Sequence, residues 1–238
     1  MTTSTLTKVA LGMGAASATA AGVAYAGGAF SPSGEKEEVV SRLIKTANPG
    51  KRVIVTTDVN DSNWKEAWKL YREDNKDKNV GEDIWKLKDW TKPDSGTINN
   101  TDQAPASFIS ECHSRSSNKT IKTDSNLYKE VLRYCTKDTQ VSDLIAENNK
   151  DKTLLDTSSQ SGDSSPSADW INAWEVYKKY NEGKGASADA WQLESWESKK
   201  AGTVLPSDFK TKCATKLQTK TFDLNNEDYR GVLAWCTK

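Results

Sequence analysis

An internal repeat constrains the fold of this chain more than any other feature of its sequence. Five aromatic residues of the first half recur in the second half, in the same order and at identical spacing. They are Trp64, Trp68, Tyr71, Trp85 and Trp90, matched by Trp170, Trp174, Tyr177, Trp191 and Trp196. Each copy is too long for a solenoid repeat and about as long as a small domain. The sequence therefore predicts two tandem homologous domains, at residues 40–138 and 139–238.

The repeated aromatic residues are the predicted core of each copy. All nine tryptophans lie within the copies, whereas leucine, isoleucine and valine are sparse. Each buried aromatic side chain removes roughly 150–250 Å² from water, so a few of them can compensate for the small number of aliphatic side chains in the core. The 33 basic and 33 acidic residues cancel. Because no net charge attracts a phosphate backbone, the composition argues against a nucleic-acid partner.

Apolar periodicity predicts an all-α fold. Trp64, Trp68 and Tyr71 follow the spacing of one helical face, and so do their counterparts in the second copy. Asn63 is the predicted N-cap of the first of these helices, and Asp169 is the predicted N-cap of the second. Both copies should therefore be built on an amphipathic helix that buries its aromatic stripe.

Further short helices are expected in each copy. Trp85 and Trp90 are assigned to a second helix whose first turn holds Asp83, and the second copy should repeat it with Asp189. The other predicted helices begin near residues 107 and 207, run through 128–135 and 229–236, and open the copies at 37–46 and 141–148. Residues 52–57 and 119–122 are compatible with a minor strand pair.

The N-terminus has the composition of a targeting segment. Residues 9–30 carry no charge, and residues 35–38, which follow, are net negative. This length fits a bilayer-spanning helix with the repeats outside the cell. Ala24 and Ala26 also form the small-x-small pattern of a signal-peptidase site. Residues 1–30 are thus predicted to be a membrane anchor or a cleaved signal, with an Ala-rich leader as a third interpretation, and residues 31–39 to be a linker.

Four cysteines occupy equivalent places in the two copies. Cys112 and Cys135 are separated by 23 positions, and so are Cys213 and Cys236. Outside the cell, two cysteines on neighbouring helices of one core favour a disulfide within each copy. Reduced buried thiols and other pairings remain alternatives, because cysteine is often fully buried. A zinc site is not expected, because no two cysteines are close in sequence.

No residue pattern predicts catalysis or a cofactor. His113 adjoins Cys112, but neighbouring residues on a helix point about 100° apart, and the second copy has Ala214 in its place. Glycan hydrolysis would need two carboxylates at a controlled separation, and Asp83 and Asp189 recur between the copies, yet a helix first turn explains both. The sequence therefore favours a non-enzymatic protein with no metal and no cofactor.

Paired tryptophans suggest a second class of function. Trp64 with Trp68, and Trp170 with Trp174, lie one helical turn apart and are spaced to stack on a flat ligand. Core packing is the simpler interpretation, because an aromatic stripe with polar residues between its members is typical of a buried helix face. A peptide- or glycan-binding module with a Trp-lined groove stays open as an alternative.

The chain resembles the lineage-expanded, uncharacterised surface-type proteins of haemotropic mycoplasmas. The resemblance rests on the Ala/Gly-rich N-terminal segment, on the Trp-x-x-x-Trp-x-x-Tyr helix and on the aromatic-Cys pairs Tyr134-Cys135 and Trp235-Cys236. It implies a surface-associated protein of a cell-wall-less blood parasite, one of many antigenically varied copies. It carries over no catalytic or binding residue.

These observations predict an exported, non-enzymatic surface protein, anchored in the membrane through residues 9–30 or secreted after signal cleavage. Besides the membrane, its expected partner is a host surface molecule, and host contact or antigenic variation is its expected role. A degenerate hydrolase is the second alternative after the binding module. The ligand and the oligomeric state are not determined by the sequence.

Overall fold

The computed structural model describes residues 36–94, 96–158 and 166–238, and most of its regular structure is helical. The prediction of a mainly helical chain is confirmed. The helices are α1 (Val40–Ala47), α2 (Ser62–Asn75), α3 (Ala106–Ser117), α4 (Asn126–Tyr134), α5 (Val141–Asn148), α6 (Ala168–Tyr180), α7 (Trp196–Lys199), α8 (Ser207–Leu217) and α9 (Glu227–Trp235). The strands are β1 (Glu38–Val39), β2 (Lys51–Val53), β3 (Lys119–Thr120) and β4 (Thr136–Asp138).

The predicted anchor or signal lies outside the described residues, as does most of the predicted linker. Within the described ranges, no helix combines the length and the apolar character that a bilayer crossing requires. Residues Lys36–Lys238 form one compact unit.

The helix predicted for Trp85 and Trp90 is wrong. Residues 80–90 form successive turns instead, and in the second copy only Trp196 lies in a helix, at the first residue of the short α7. Gly81 and Lys86 have positive φ angles of 79° and 51°. A left-handed residue ends a right-handed helix, because its carbonyl no longer points along the helix axis. The turns place both indole rings against α2.

The predicted helix caps are shifted by two residues. Asp61 caps α2, and its carboxylate accepts hydrogen bonds from the backbone N–H groups of Asn63 and Trp64. Ser167 caps α6 in the same manner and accepts from Trp170 N. Asn63 and Asp169 therefore lie inside the first turns. Two cap-forming side chains stood close together at each helix start, and the period alone did not distinguish them.

The short strands pair differently from the predicted pairing. β1 pairs antiparallel with β3, and β2 pairs antiparallel with β4. Residues 52–57 and 119–122 therefore do not pair with each other, since each finds a partner at one end of its own copy. These ladders tie the start of the first copy to its C-terminal half.

Buried apolar side chains form two clusters that follow the sequence repeat. The first cluster takes its members from residues 40–135, and the second takes its members from residues 141–236. All ten repeated aromatic rings lie in these clusters, and none is more than 7% exposed. The ring positions agree with the core assigned from the sequence.

A continuous extended segment, residues 136–140, connects the two copies, and we term it the junction strand. Its first part is β4, which pairs with β2 of the first copy. Its second part pairs with the second copy, where Thr221 N donates to Thr139 O and Gln140 bridges to Lys220. The segment therefore contributes backbone hydrogen bonds to both copies.

Candidate functional site

Tyr71 is at the centre of the first aromatic cluster. Its ring centroid lies 4.9 Å from that of Trp85 and 5.2 Å from those of Phe108 and Tyr134. Its hydroxyl donates to Asp83 Oδ2 and accepts from Trp85 N at 3.0 Å. Burial raises the pKa of the Tyr71 phenol well above its usual value, and the bond to the Asp83 carboxylate raises it further. Tyr71 is therefore a neutral hydrogen-bond donor at every ordinary pH.

Asp83 and Asp189 lie in non-helical turns, so the prediction that they lie in helix first turns is wrong, and both are buried. Asp83 is 1% exposed and Asp189 is 3% exposed. Asp189 accepts from the Tyr177 hydroxyl and from Leu193 N at 3.0 Å, which repeats the bonding of Asp83. Each carboxylate belongs to the hydrogen-bond network of its own cluster. These hydrogen bonds fix the turns that contain Trp85 and Trp191. The two carboxylates lie in different clusters, so they do not form an acid–base pair.

Each copy contains one disulfide. Cys112 of α3 is bonded to Cys135 at the end of α4, with their Cα atoms 5.4 Å apart. Cys213 of α8 is bonded to Cys236 at the end of α9, with their Cα atoms 5.9 Å apart. These are the pairings within a copy that the sequence favoured. All four cysteines are fully buried.

The neighbouring Cys112 and His113 have separate roles. The Cys112 sulfur is bonded to Cys135, so it is not a thiol nucleophile in this state. A ring nitrogen of His113 lies 3.2 Å from Ile54 O, and the ring meets Trp64 edge-on. His113 therefore joins α3 to the residues that follow β2. It is a packing residue.

The tryptophan pairs on α2 and α6 do not form an open groove. Trp64 is fully buried and Trp68 is 7% exposed, while Trp170 and Trp174 are 4% and 0% exposed. The Trp64 and Trp170 indoles donate to backbone carbonyls within their own copies. A ligand cannot stack on faces that already pack against α3 and α8. The pairs are core residues, and the open groove that was the alternative interpretation is not formed by both members of either pair; Trp170 alone borders a pocket of about 400 Å³.

A pocket of about 530 Å³ lies instead against α9 in the second copy. Its walls include Tyr180, Trp191, Lys216, Arg230, Gly231 and Trp235. The volume is in the range of small-molecule sites, which are typically apolar clefts with a few polar groups. The pocket joins aromatic rings with charged side chains, so it is the candidate functional site of this protein.

Aromatic rings form the apolar part of the pocket. Trp191 and Trp235 are each 6% exposed and meet edge-on, with centroids 4.9 Å apart. Tyr180 packs on Trp235 at 5.0 Å and is 63% exposed. Gly231 brings the α9 backbone close to the rings, because a Cβ atom there would lie 3.2 Å from Trp191 Nε1. The absence of a side chain at this residue lets the backbone of α9 pack against both rings, which border the pocket.

Charged side chains of both signs surround the rings. Lys216 Nζ lies 5.7 Å from the centroid of the Trp191 ring and forms an ion pair with Asp228. Arg230 and Glu227 are exposed residues of the walls. The charges balance, so a ligand would be selected by individual donors and acceptors rather than by net charge.

The sequence analysis missed this pocket, although the repeat contains a signal for it. The first copy has Glu130 and Arg133 where the second has Gly231 and Ala234, and both changes lie on one face of the last helix. Two large residues replaced by small ones, one turn apart, indicate a cavity in one copy only. The signal lies in the differences between the copies and not in the residues that they share.

The described residues contain no group of three or more His, Cys, Asp and Glu side chains placed to hold a metal ion. Comparison of this chain with protein-family models, with curated proteins and with solved structures found no match to any of them. The assignment of function therefore rests on the disulfides, the clusters and the pocket.

Proposed function

We propose that this chain is an exported, non-enzymatic surface protein that displays two homologous helical domains, residues 40–138 and 139–238. Residues 1–30 would supply the membrane anchor, or a signal that is cleaved on secretion. The observation that carries the proposal is the pair of equivalent disulfides. Disulfides persist in oxidising compartments and stabilise domains whose apolar cores are small. Host contact and antigenic variation are the roles that we propose for the displayed surface.

The distribution of differences between the copies supports a display role. Buried polar groups are retained, as in Asn75 and Asn181, which both donate to the carbonyl of a central tyrosine. Surface groups differ, since Asp74 of the first copy is matched by Tyr180 of the second. Buried residues that are shared by the copies and surface residues that differ between them suit a protein whose surface changes under selection.

The non-enzymatic part of the proposal is supported by how the reactive groups are used. Cys112 is bonded to Cys135, and Asp83 accepts hydrogen bonds from Tyr71 and from Leu87 N. Groups committed to structural bonds are poorly placed for proton or acyl transfer.

Surface proteolysis of intact cells tests the display proposal. Peptides from residues 40–238 should be released by protease before lysis, and mass spectrometry without reductant should find the Cys112 peptide joined to the Cys135 peptide. The control is a cytoplasmic protein of the same cells, which should stay protected. Protection of the repeat peptides until lysis, or alkylation of these cysteines without reductant, would refute external display in this form.

A binding module is the second candidate, and the pocket beside α9 is the observation that favours it. The Trp64–Trp68 and Trp170–Trp174 pairs, where a groove was the alternative interpretation, do not carry this candidate because they are buried. Trp191 and Trp235 carry it instead, because their rings border the pocket. Ligand titrations against these two residues, described below, test it directly.

A further inference from the structure

The first copy shows what fills the region that is open in the second. Glu130 of α4 points its carboxylate at the aromatic cluster, where Oε2 accepts from Trp85 Nε1 at 2.8 Å and from Arg115 Nη1 at 3.1 Å. The Arg115 guanidinium also lies over the Trp85 ring, 4.9 Å from its centroid. An indole N–H and a basic side chain thus hold one carboxylate.

The second copy keeps both donors and lacks that carboxylate. Trp191 corresponds to Trp85 and Lys216 corresponds to Arg115, while Gly231 stands in place of Glu130. Lys216 retains its place over the indole, with Nζ 5.7 Å from the ring centroid. No hydrogen-bond acceptor for Trp191 Nε1 is found among the described residues. This nitrogen is also not fully enclosed by the protein. The Trp191 side chain borders the pocket.

The neighbouring differences enlarge the same region. In the first copy Arg133 is paired with Asp74, and the Tyr134 hydroxyl donates to the same carboxylate at 2.7 Å. In the second copy these three residues are Ala234, Tyr180 and Trp235. An ion pair and a phenol are thus replaced by a methyl group and two aromatic rings that contact each other. The result is an apolar surface next to the two donors.

We propose that this pocket binds a small ligand that carries a carboxylate on an apolar or aromatic body. The carboxylate takes the role that Glu130 has in the first copy and accepts from Trp191 Nε1 and Lys216 Nζ. An ammonium group has three donors, so Lys216 can bind the ligand while it keeps Asp228. The body of the ligand packs on Tyr180 and Trp235. This inference rests on the binding-module candidate and gives it a ligand class.

The expected affinity is modest. The wall charges balance, and the site is open to solvent at the exposed ring of Tyr180. A ligand of about ten heavy atoms at roughly 0.4 kcal/mol per atom binds with a Kd of about 1 mM. Nuclear magnetic resonance of the indole N–H groups suits this range, because it reports on each tryptophan separately.

The experiment titrates the whole chain with 3-phenylpropionate and, as the matched neutral compound, 3-phenylpropanamide. The Trp191 indole resonance, assigned with Trp191→Phe, should move with the acid, and the acid should bind about tenfold more tightly than the amide. N-acetylphenylalanine and its amide form the second pair, which asks whether a peptide C-terminus is accepted as well as a free acid. Stronger binding of either acid supports the proposal.

Variants locate the two donors. Lys216→Gln should weaken binding of the acid about tenfold and leave the amide unchanged. Gly231→Glu places a carboxylate in the chain itself, as in the first copy, and should abolish binding. Glu130→Gln is the matched control in the first copy and should leave the Trp191 response unchanged. Thermal unfolding of each variant checks that it is folded, and Lys216→Gln decides the matter if Gly231→Glu does not fold.

The outcomes distinguish failure of the carboxylate preference from failure of the binding site itself. Equal affinity for the acid and the amide would overturn the carboxylate while leaving the pocket as a binding site. No movement of the Trp191 resonance with either compound at about 10 mM, ten times the expected Kd, would overturn both the carboxylate inference and the binding-module candidate. An acid that binds but moves other indole resonances would show that the site lies elsewhere and would also overturn the inference.

Discussion

Two tyrosine hydroxyls organise the interior at the residue scale. Tyr71 connects α2 to the turns around Trp85 through Asp83, and Tyr177 connects α6 to the turns around Trp191 through Asp189. A buried carboxylate is costly unless its hydrogen bonds are made. The hydroxyl and the backbone N–H of Leu87 or Leu193 bond to one carboxylate oxygen, Oδ2, whereas the buried Oδ1 has no hydrogen-bond partner among the described residues. One phenol oxygen therefore joins a buried carboxyl group, a turn and a helix.

We predict that Tyr71→Phe lowers the free energy of unfolding by about 1–3 kcal/mol. The ring would still pack, but Asp83 and the Trp85 N–H would each lose a buried hydrogen-bond partner. Urea denaturation followed by circular dichroism measures the change. Tyr180→Phe is the control, because Tyr180 is exposed, and it should alter stability by less than about 0.5 kcal/mol. Equal effects of the two substitutions would contradict the assigned role.

Asp74 should contribute to the pH dependence of stability. The Arg133 guanidinium lowers the pKa of the Asp74 carboxyl below its usual value of 3.8, and the Tyr134 hydroxyl lowers it further. A carboxyl whose pKa is lower in the folded state stabilises the fold above the unfolded-state pKa. That contribution is lost as the pH falls through the folded-state pKa. Stability should therefore fall in acid below about pH 4.

We predict that Asp74→Asn makes the fall of stability below about pH 4 less steep. Urea midpoints measured from neutral pH down to about pH 2 test this, and Asp151→Asn, at an exposed carboxylate, is the control substitution. A slope for Asp74→Asn that matches the unsubstituted chain throughout acid would rule out this contribution.

Helix caps act at the scale of elements. Asp61 begins α2 by accepting from Asn63 N at 2.8 Å and from Trp64 N at 3.3 Å. We predict that Asp61→Ala destabilises the protein by about 1 kcal/mol, because two backbone donors lose their acceptor. Asn63→Ala, at the residue that the sequence suggested as cap, should change stability by less than about 0.5 kcal/mol. Thermal unfolding of both variants measures the contrast, which would be reversed if Asn63 were the cap.

Each disulfide joins the last two long helices of its copy. The chain-entropy model assigns about 3 kcal/mol to a crosslink whose cysteines are 23 positions apart. We predict that the double substitution Cys213→Ser with Cys236→Ser lowers stability by about this amount. The same loss should appear when the second-copy disulfide of the unsubstituted chain is reduced. A loss below about 1 kcal/mol would mean that α8 and α9 are held by packing alone.

The junction between the copies is the main feature at the scale of the whole molecule. Arg52 of β2 donates to both carboxylate oxygens of Glu147 in α5, at 2.7 and 3.0 Å. Lys45 of α1 forms an ion pair with the same carboxylate. On the junction strand, Asp138 pairs with Lys51 and with Lys220. Charged contacts thus bridge the two copies on both sides of the connecting segment.

We predict a coupling energy of about 1 kcal/mol between Arg52 and Glu147. The pair is bidentate and largely buried, which makes it stronger than an exposed pair. A double-mutant cycle with Arg52→Gln and Glu147→Gln measures it by urea denaturation. The control cycle uses Lys238 and Asp169, which are exposed and lie within one copy, so their coupling should be close to zero. Equal couplings in both cycles would show that the bridge adds nothing specific.

The sequence by itself determined the parts of this protein that depend on short-range pattern. The period of apolar residues located the helices that contain Trp64, Tyr128 and Val141, because a helix face repeats every three to four residues whatever lies against it. The equal spacing of the cysteines favoured the two crosslinks that the structure contains. Large aromatic residues in a chain poor in aliphatic ones had to form the core.

Only the tertiary structure decided the turns around Trp85 and Trp191, the burial of Asp83 and Asp189, and the pocket beside α9. The turns need left-handed residues such as Lys86 and Gln192, which local preference does not select. Hydrogen bonds from Tyr71 of α2 and Tyr177 of α6 accompany these turns. These hydrogen bonds form only once the turns have packed against the helices. The pocket likewise depends on the packing of Gly231 against Trp191, a contact between residues that are far apart in the sequence. A pattern along the chain reports the period of an element, whereas its partners are set by contacts between residues distant in sequence.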